Sequence, residues 1–227
     1  MPAPISVVIP TLNAASDLPA CLASLMPGAE AGLIREVWIS DGGSGDATAD
    51  MADAAGANFL QGGPGRGRQL AAGADASKGD WLLFLHADTA LTRDWVERVR
   101  DHLADAPDKA AYFTLAFRSD DPMAKRVARR ANRRARLMGL PYGDQGLLVS
   151  RKLYEEIGGY EDIPLMEDVR LVQAIGKRRL VMLSAEARTS GEKYERDGWR
   201  KRSWKNAWLI TRYLMGASPE QLAAAYR

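Results

Sequence analysis

The chain has 227 residues, with 31 Lys and Arg against 29 Asp and Glu for a net charge of +2, and one cysteine. That near balance excludes a protein held to nucleic acid by bulk charge, and the lone Cys21 excludes an internal disulfide and suits a reducing compartment. At 46% hydrophobic and 26% charged the composition is that of a single globular domain over residues 1–227, and no apolar run is long enough to span a bilayer. The N-terminus has no basic region followed by an apolar leader, so a cytoplasmic protein is expected.

Residues 5–9 are β-rich and stop at Pro10-Thr11-Leu12-Asn13, ahead of a helix predicted over 14–25. Residues 36–40 repeat that pattern, ending in Asp41-Gly42-Gly43-Ser44-Gly45-Asp46-Ala47-Thr48 and an alanine-rich helix through Ala55. A short strand over 57–60 leads to a glycine-rich loop bearing Arg66 and Arg68, then a helix over 69–77. The run Trp81-Leu82-Leu83-Phe84-Leu85, opened by Gly79-Asp80, reads as a buried central strand that ends at His86-Ala87-Asp88-Thr89. Beyond it the spacing predicts a helix over 92–104, a strand over 111–118 and a heavily basic helix over 122–138. A strand over 145–150, a short helix over 152–157, a Gly158-Gly159-Tyr160 turn, a helix over 166–176 and a strand over 180–183 follow. A Trp-rich basic helix over 198–215 and a short one opened by Ser218-Pro219 close the chain.

Strand, loop and helix in repeated alternation predict an α/β fold with a doubly wound, mostly parallel sheet flanked by helices and a C-terminal helical tail. In such a sheet ligands sit beyond the carboxyl ends of the strands, so Asn13, Asp41 and Asp88 are expected to converge on one site. Asp88 is placed to hold a hard divalent cation against a diphosphate, and otherwise to cap the following turn.

The segment 6–13, then 41–48, resembles the opening of family 2 glycosyltransferases with the GT-A fold. Phe84-Leu85-His86-Ala87-Asp88 falls where those enzymes carry their metal-binding DXD motif, and Gly158-Gly159-Tyr160 with Glu167-Asp168 is similar to their acceptor-side segment. The resemblance runs over about residues 5–176 with the motifs in the family's order. It implies a nucleotide-sugar donor, a divalent cation (Mn²⁺ or Mg²⁺), and transfer to a hydroxyl acceptor with inversion. It divides the chain into a nucleotide-binding half (1–90), an acceptor-side half (91–190) and a helical tail (191–227). The chain departs from the pattern at His86, which replaces the first acid of DXD; His86 either ligates the metal or packs at the strand end. This variant, on a short chain, is similar to members associated with arsenosugar-type pathways.

The residues themselves carry matching chemistry. Pro10, Thr11 and Asn13 form the donor loop, with His86 and Ala87 beside it, and Asp41 can accept from the N3–H of uracil or serve as a turn acid. Arg66 and Arg68 suit a diphosphate, or are surface charges; their glycines lack the dinucleotide-binding spacing. Asp168 is by resemblance the base that takes the acceptor's proton, with Glu167 its neighbour, although acids also open helices for the macrodipole alone. Tyr142, Asp144 and Gln145 line the acceptor side or form a plain turn.

The basic helices, one with Lys125 through Arg136 and one with Trp199, Trp204 and Trp208, read as a membrane-surface contact on the inner face of a membrane. A clamp for an anionic acceptor and a solvated face with packed Trp residues are the other readings, and no nucleic-acid partner is expected. Two further functions compete: a nucleotidyltransferase on a sugar phosphate, for which a glycine-rich, lysine-bearing loop is missing, and a membrane-surface binding protein with a decayed nucleotide-sugar site.

Overall fold

The computed structural model describes residues 3–226. In chain order the elements are β1 (Ile5–Thr11), α1 (Leu18–Glu30), β2 (Ile34–Asp41), α2 (Thr48–Ala54), β3 (Asn58–Gln61), α3 (Arg66–Ala76), β4 (Trp81–Phe84) and β5 (Thr89–Leu91). There follow α4 (Trp95–Asp105), β6 (Ala110–Arg118), α5 (Pro122–Met138), β7 (Leu147–Ser150), α6 (Arg151–Glu156) and α7 (Glu167–Ile175). The last are β8 (Leu180–Ser190), α8 (Glu192–Asp197), α9 (Trp199–Leu214) and α10 (Pro219–Tyr226).

The strands form one sheet in the order β3-β2-β1-β4-β7-β6-β8-β5. Parallel pairing joins β3, β2, β1 and β4, and again β6 with β8; β7 runs against both β4 and β6, and β5 against β8. The alternation of side chains along a strand sorts the core into two layers. Ile5, Val7, Ile9, Trp81 and Leu83 face α1 and α4, through Leu18, Cys21, Leu25, Trp95 and Val99. Val8, Leu82 and Phe84 face α3 and α7, through Leu70, Ala74, Val169 and Val172. All four β4 side chains are buried, which is why its sequence shows no polar alternation. Arg151, at the start of α6, anchors the approach to β4: its guanidinium donates to the carbonyls of Gly79, Ala74 and Ser77.

The helix α5 has the predicted bounds because its ends are chemically marked. Asp121 accepts from the Met123 N–H, Pro122 takes the first turn, and Gly139 leaves the helix at φ 67°. Elsewhere boundaries moved. The first helix starts at Leu18 and runs past Pro27 to Glu30, with the Ala31 N–H bonded to the Pro27 carbonyl. The glycine-rich loop was expected to precede its helix, yet Arg66 and Arg68 already lie in the first turn of α3. The strand predicted over 180–183 continues to Ser190 after a bulge opposite Phe113 and Thr114, where small and charged residues gave no apolar signal. Its extension pairs with β5, a three-residue strand that the sequence pattern does not mark.

Gly67 marks the closest approach of α3 to the 158–162 segment. A Cβ there would overlap the Glu161 carbonyl oxygen and crowd the Glu167 side chain. Helix propensity alone favours alanine over glycine by about 1 kcal/mol. Gly67→Ala is nevertheless expected to destabilise by about 1–3 kcal/mol through that collision. Urea unfolding checks it; a raised midpoint would show that the 158–162 segment yields freely.

Candidate active site

The carboxyl ends of β1 and β2 are stitched into one loop system. Asp41, 1% exposed, accepts from the Thr11 hydroxyl at 2.8 Å, the Ser44 hydroxyl at 2.5 Å, and the Gly43 and Ser44 amides at 2.8 and 2.7 Å. Burial pushes this carboxyl up, but the bonds from Ser44, Thr11 and Gly43 outweigh it and hold it below the ordinary aspartate value. Asn13, held at φ 52°, donates its amide to Ser44 Oγ and accepts from the Gly45 amide. Gln69, which nothing in the sequence singled out, ties the ends of both strands to α3 by donating to the carbonyls of Thr11 and Ser40. Pro10 lies within β1 opposite Ser40, a register position with little freedom.

Beside this loop system lies a cavity of about 170 Å³ lined by Arg66, His86, Asp88, Tyr142, Gly143, Asp144, Glu167 and Asp168. Thr189 and Ser190 from the end of β8, and Lys193 and Tyr194 from α8, also line it. These four were missed because the β8 extension and α8 carry no local sequence signal. The expected convergence of Asn13, Asp41 and Asp88 is therefore corrected: they share the sheet edge, but only Asp88 lines this cavity. Asp41 spends about four lone-pair sites on its own loop, which leaves none directed at a base in this arrangement.

Burial, then the nearby Arg66, pushes His86 down to about 4, so its imidazole is neutral at pH 7. Ala87 turns into the core instead of the cavity. Among the described residues Asp88 accepts two long bonds, both on Oδ1, from the Thr89 and Thr189 hydroxyls at 3.3 Å. Its backbone carbonyl is held by Arg118, which also pairs with Asp17 at 3.0 Å.

Asp168 is fixed by two amides, Gly143 to Oδ2 and Val169 to Oδ1, each at 2.7 Å. Glu167 is 2% exposed and meets Arg66 at 3.4 Å. Burial, then Asp168, raises its carboxyl against the pull of Arg66. Asp144 is pushed up to about 6 by burial, opposed by Arg134, and its buried Oδ1 has no partner among the described residues. Arg134 lies 3.3 Å above the Tyr142 ring.

Two more of the expected site residues lie outside this cavity. Arg68 points away and pairs with Asp162 at 2.7 Å on the surface, because residues two apart on a helix face different sides. Gln145 is fully buried and donates to the Phe113 carbonyl and to Asn132, joining β6 to α5 instead of lining an acceptor site.

Residues 6–160 match Glycosyl transferase family 2. The chain belongs to that family. A relative, the PGL/p-HBAD biosynthesis glycosyltransferase of Mycobacterium bovis, is 35% identical over 123 residues, 50% of this chain and 47% of that protein. The chain thus spans about half the length of the curated relatives it matches. The fold is similar to Mycobacterium tuberculosis glucosyl-3-phosphoglycerate synthase in complex with Mn²⁺ and UDP-glucose, at TM-score 0.60 and 22% identity over 82% of this chain and 70% of the other. It is also similar to S. aureus TarS 1-349 in complex with UDP-GlcNAc, at TM-score 0.61 and 14% identity over 82% and 58%.

For this family 2 chain the donor set suits a cation only in part. Among the described residues no group of three or more His, Cys, Asp or Glu side chains is placed to hold a metal. Magnesium-type sites need one or two carboxylates, with substrate phosphates and water completing the shell. The lightly bonded Asp88 carboxylate fits that minimal set, and the neutral His86 imidazole adds a nitrogen donor that lines the same cavity.

Asp144 has a carboxyl raised above its unfolded value, so its contribution to stability is present below about pH 4 and is lost as pH rises through about 6. Asp144→Asn should therefore be more stable than the parent at pH 7.5, by on the order of 2 kcal/mol, with the gap closing below pH 4. Denaturant titrations at the two pH values check this; a gap independent of pH would remove the buried-charge explanation.

Proposed function

We propose that the chain is an inverting glycosyltransferase that moves a sugar from a nucleotide sugar, of the UDP type, to a hydroxyl acceptor. The observation that carries this reading is the cavity itself. A family 2 sheet edge brings Arg66, Asp88 and Asp168 together with an under-bonded Asp144.

In this reading residues 1–90 bind the donor, 91–190 the acceptor, and 191–227 close the site. The Pro10–Asn13 and Gly43–Gly45 backbone, held rigid by Asp41, takes the base, and Arg66 faces the diphosphate. Asp88, assisted by His86, holds a divalent cation, which when bound neutralises charge on the leaving diphosphate. The acceptor oxygen bonds to the anomeric carbon as the bond from that carbon to phosphate oxygen breaks. The proton passes to Asp168, whose two oxygens each keep a lone pair beyond the amide bonds that orient them. One displacement, with no second nucleophile invoked, inverts the anomeric configuration. The link to arsenosugar-type pathways rests on the His86-Ala87-Asp88 variant alone, so small sugar-type acceptors belong in the acceptor screen.

A membrane contact is a second element of the proposal, favoured by α9. No described helix is long and apolar enough to cross a membrane. Trp199 is buried against Phe117 and Tyr194, which removes it from the expected surface stripe. Trp204 and Trp208 are 76% and 48% exposed on the same basic helix, an arrangement suited to anionic headgroups.

Calorimetric titrations with UDP, GDP, CDP and ATP, with Mn²⁺ and with chelator, test the donor class. Binding of UDP alone, lost with chelator and in Asp88→Asn, is expected. Preference for ATP would favour a nucleotidyltransferase, and no nucleotide binding at all would favour a decayed site. Asp168→Asn is expected to retain UDP binding while turnover of a UDP-sugar falls at least about 100-fold; undiminished turnover would take the base role from it.

A further inference from the structure

A second and larger hollow, about 620 Å³, lies between α5 and α9 and shares Tyr142, Asp144, Tyr194 and Asn206 with the cavity described above. Its volume falls in the range of ligand pockets, roughly 300–1,000 Å³. The floor is apolar, from Leu115, Val127, Ala131 and Ile210. The charged residues on its walls are Arg126, Arg130, Arg134 and Arg200, against Asp144 alone.

Buried polar atoms without partners are uncommon, because each forfeits its hydrogen bonds to water. Three atoms that lack a partner among the described residues, Arg134 Nη2, Asp144 Oδ1 and Ser203 Oγ, belong to side chains that line this one hollow. The guanidinium nitrogen is a donor, the hydroxyl a donor or acceptor, and the ionised carboxylate an acceptor. Their complement is a molecule with an anionic oxygen for Arg134 and Ser203 and a hydroxyl for Asp144.

We infer that the α5–α9 groove is the acceptor site, and that its acceptor carries a phosphate or carboxylate close to the hydroxyl that is glycosylated, with an apolar body on the groove floor. The inference rests on the glycosyltransferase reading, since it names the acceptor class for that reaction. The groove shares Asp144 with the reaction cavity, which Asp168 also lines, so the two sites are continuous there. Arg134 is prepared for an anion: its Nε is fixed by the Leu140 carbonyl and its plane rests on Tyr142, leaving the fork pre-oriented. An anion on a lipid chain and one on a small soluble molecule satisfy the same chemistry.

The test titrates the full chain with hexyl phosphate, inorganic phosphate and hexanol, each with and without UDP and Mn²⁺, following heat and the fluorescence of the groove-lining Trp204. Hexyl phosphate is expected to bind whether or not UDP is present. Arg134→Gln should weaken it at least about tenfold, and the exposed Arg130→Gln by a smaller factor, while hexanol stays weak. Tighter binding of hexyl phosphate than of inorganic phosphate supports the proposal, and equal affinity for the two would overturn the apolar body on the groove floor. Displacement of hexyl phosphate by UDP, equal binding to parent and both variants, or no binding of either anion would overturn it. If Arg134→Gln does not fold, the double variant of Arg130→Gln with Arg200→Gln carries the same comparison. Loss of UDP binding with anion binding intact would sink the donor reading and leave the groove in place.

Discussion

The four residues Trp81–Phe84 constrain everything around them. The strand β4 is buried on both faces, parallel to β1 on one side and antiparallel to β7 on the other. Phe84 at its end pairs with Leu147 at the start of β7, so the chain just before β7 must turn at the same sheet edge where His86 and Asp88 emerge. That turn holds Tyr142, Gly143 and Asp144. The strands β6 and β8 run the same way as β4, which delivers Thr189 and Ser190 to that edge as well. One reversed strand thus turns an open parallel edge into a walled cavity.

The cavity gathers four acids, of which Glu167 is paired with Arg66 and Asp168 is bonded by two amides. Among the described residues Asp88, Asp144, Glu167 and Asp168 share the cavity with Arg66, Lys193 and the buried Arg202, which pairs with Asp197 at 2.9 Å, while Arg134 works from the adjoining groove. Glu167 and Asp144 are raised chiefly by burial, and neighbouring carboxylates add to the effect. Charge held under such repulsion favours any ligand that brings a cation or a hydrogen-bond donor. The loop system around Asp41 is the opposite case. There each oxygen of a buried carboxylate is satisfied, the group stays ionised, and the result is rigidity.

Legibility varied residue by residue. The helix α5 was readable because its signals are local: an Asp cap, a proline in the first turn, a left-handed glycine at the end. The strand β8 was half-readable, since a bulge and a run of Ser, Ala and Glu hid its second half. Arg66 and Arg68 looked equivalent in a glycine-rich segment, and only the onset of α3 at Arg66 turned one inward and the other outward. Gln145 looked like a turn residue facing substrate, but the close passage of β6 and Asn132 drew it into the core. Trp199 and Trp204 belong to one predicted basic helix, yet the aromatic pair Phe117 and Tyr194 claims the first and leaves the second 76% exposed.

The amino-acid sequence by itself determined the alternation of strands and helices, the two-layer core, the ends of α5 and membership of glycosyl transferase family 2. These follow from residue periodicity, capping chemistry and ordered motifs, all of which act over a few neighbouring positions. Only the tertiary structure decided which acids share a cavity, that Asp41 is spent on its own loop, and that Arg134, Asp144 and Ser203, each with a buried polar atom unpartnered among the described residues, line one groove. Those outcomes depend on strand direction and register between segments far apart in the chain, such as Gly143 donating to Asp168 or Gln69 to Thr11. Such contacts are set by packing of the whole sheet, and no local pattern encodes them.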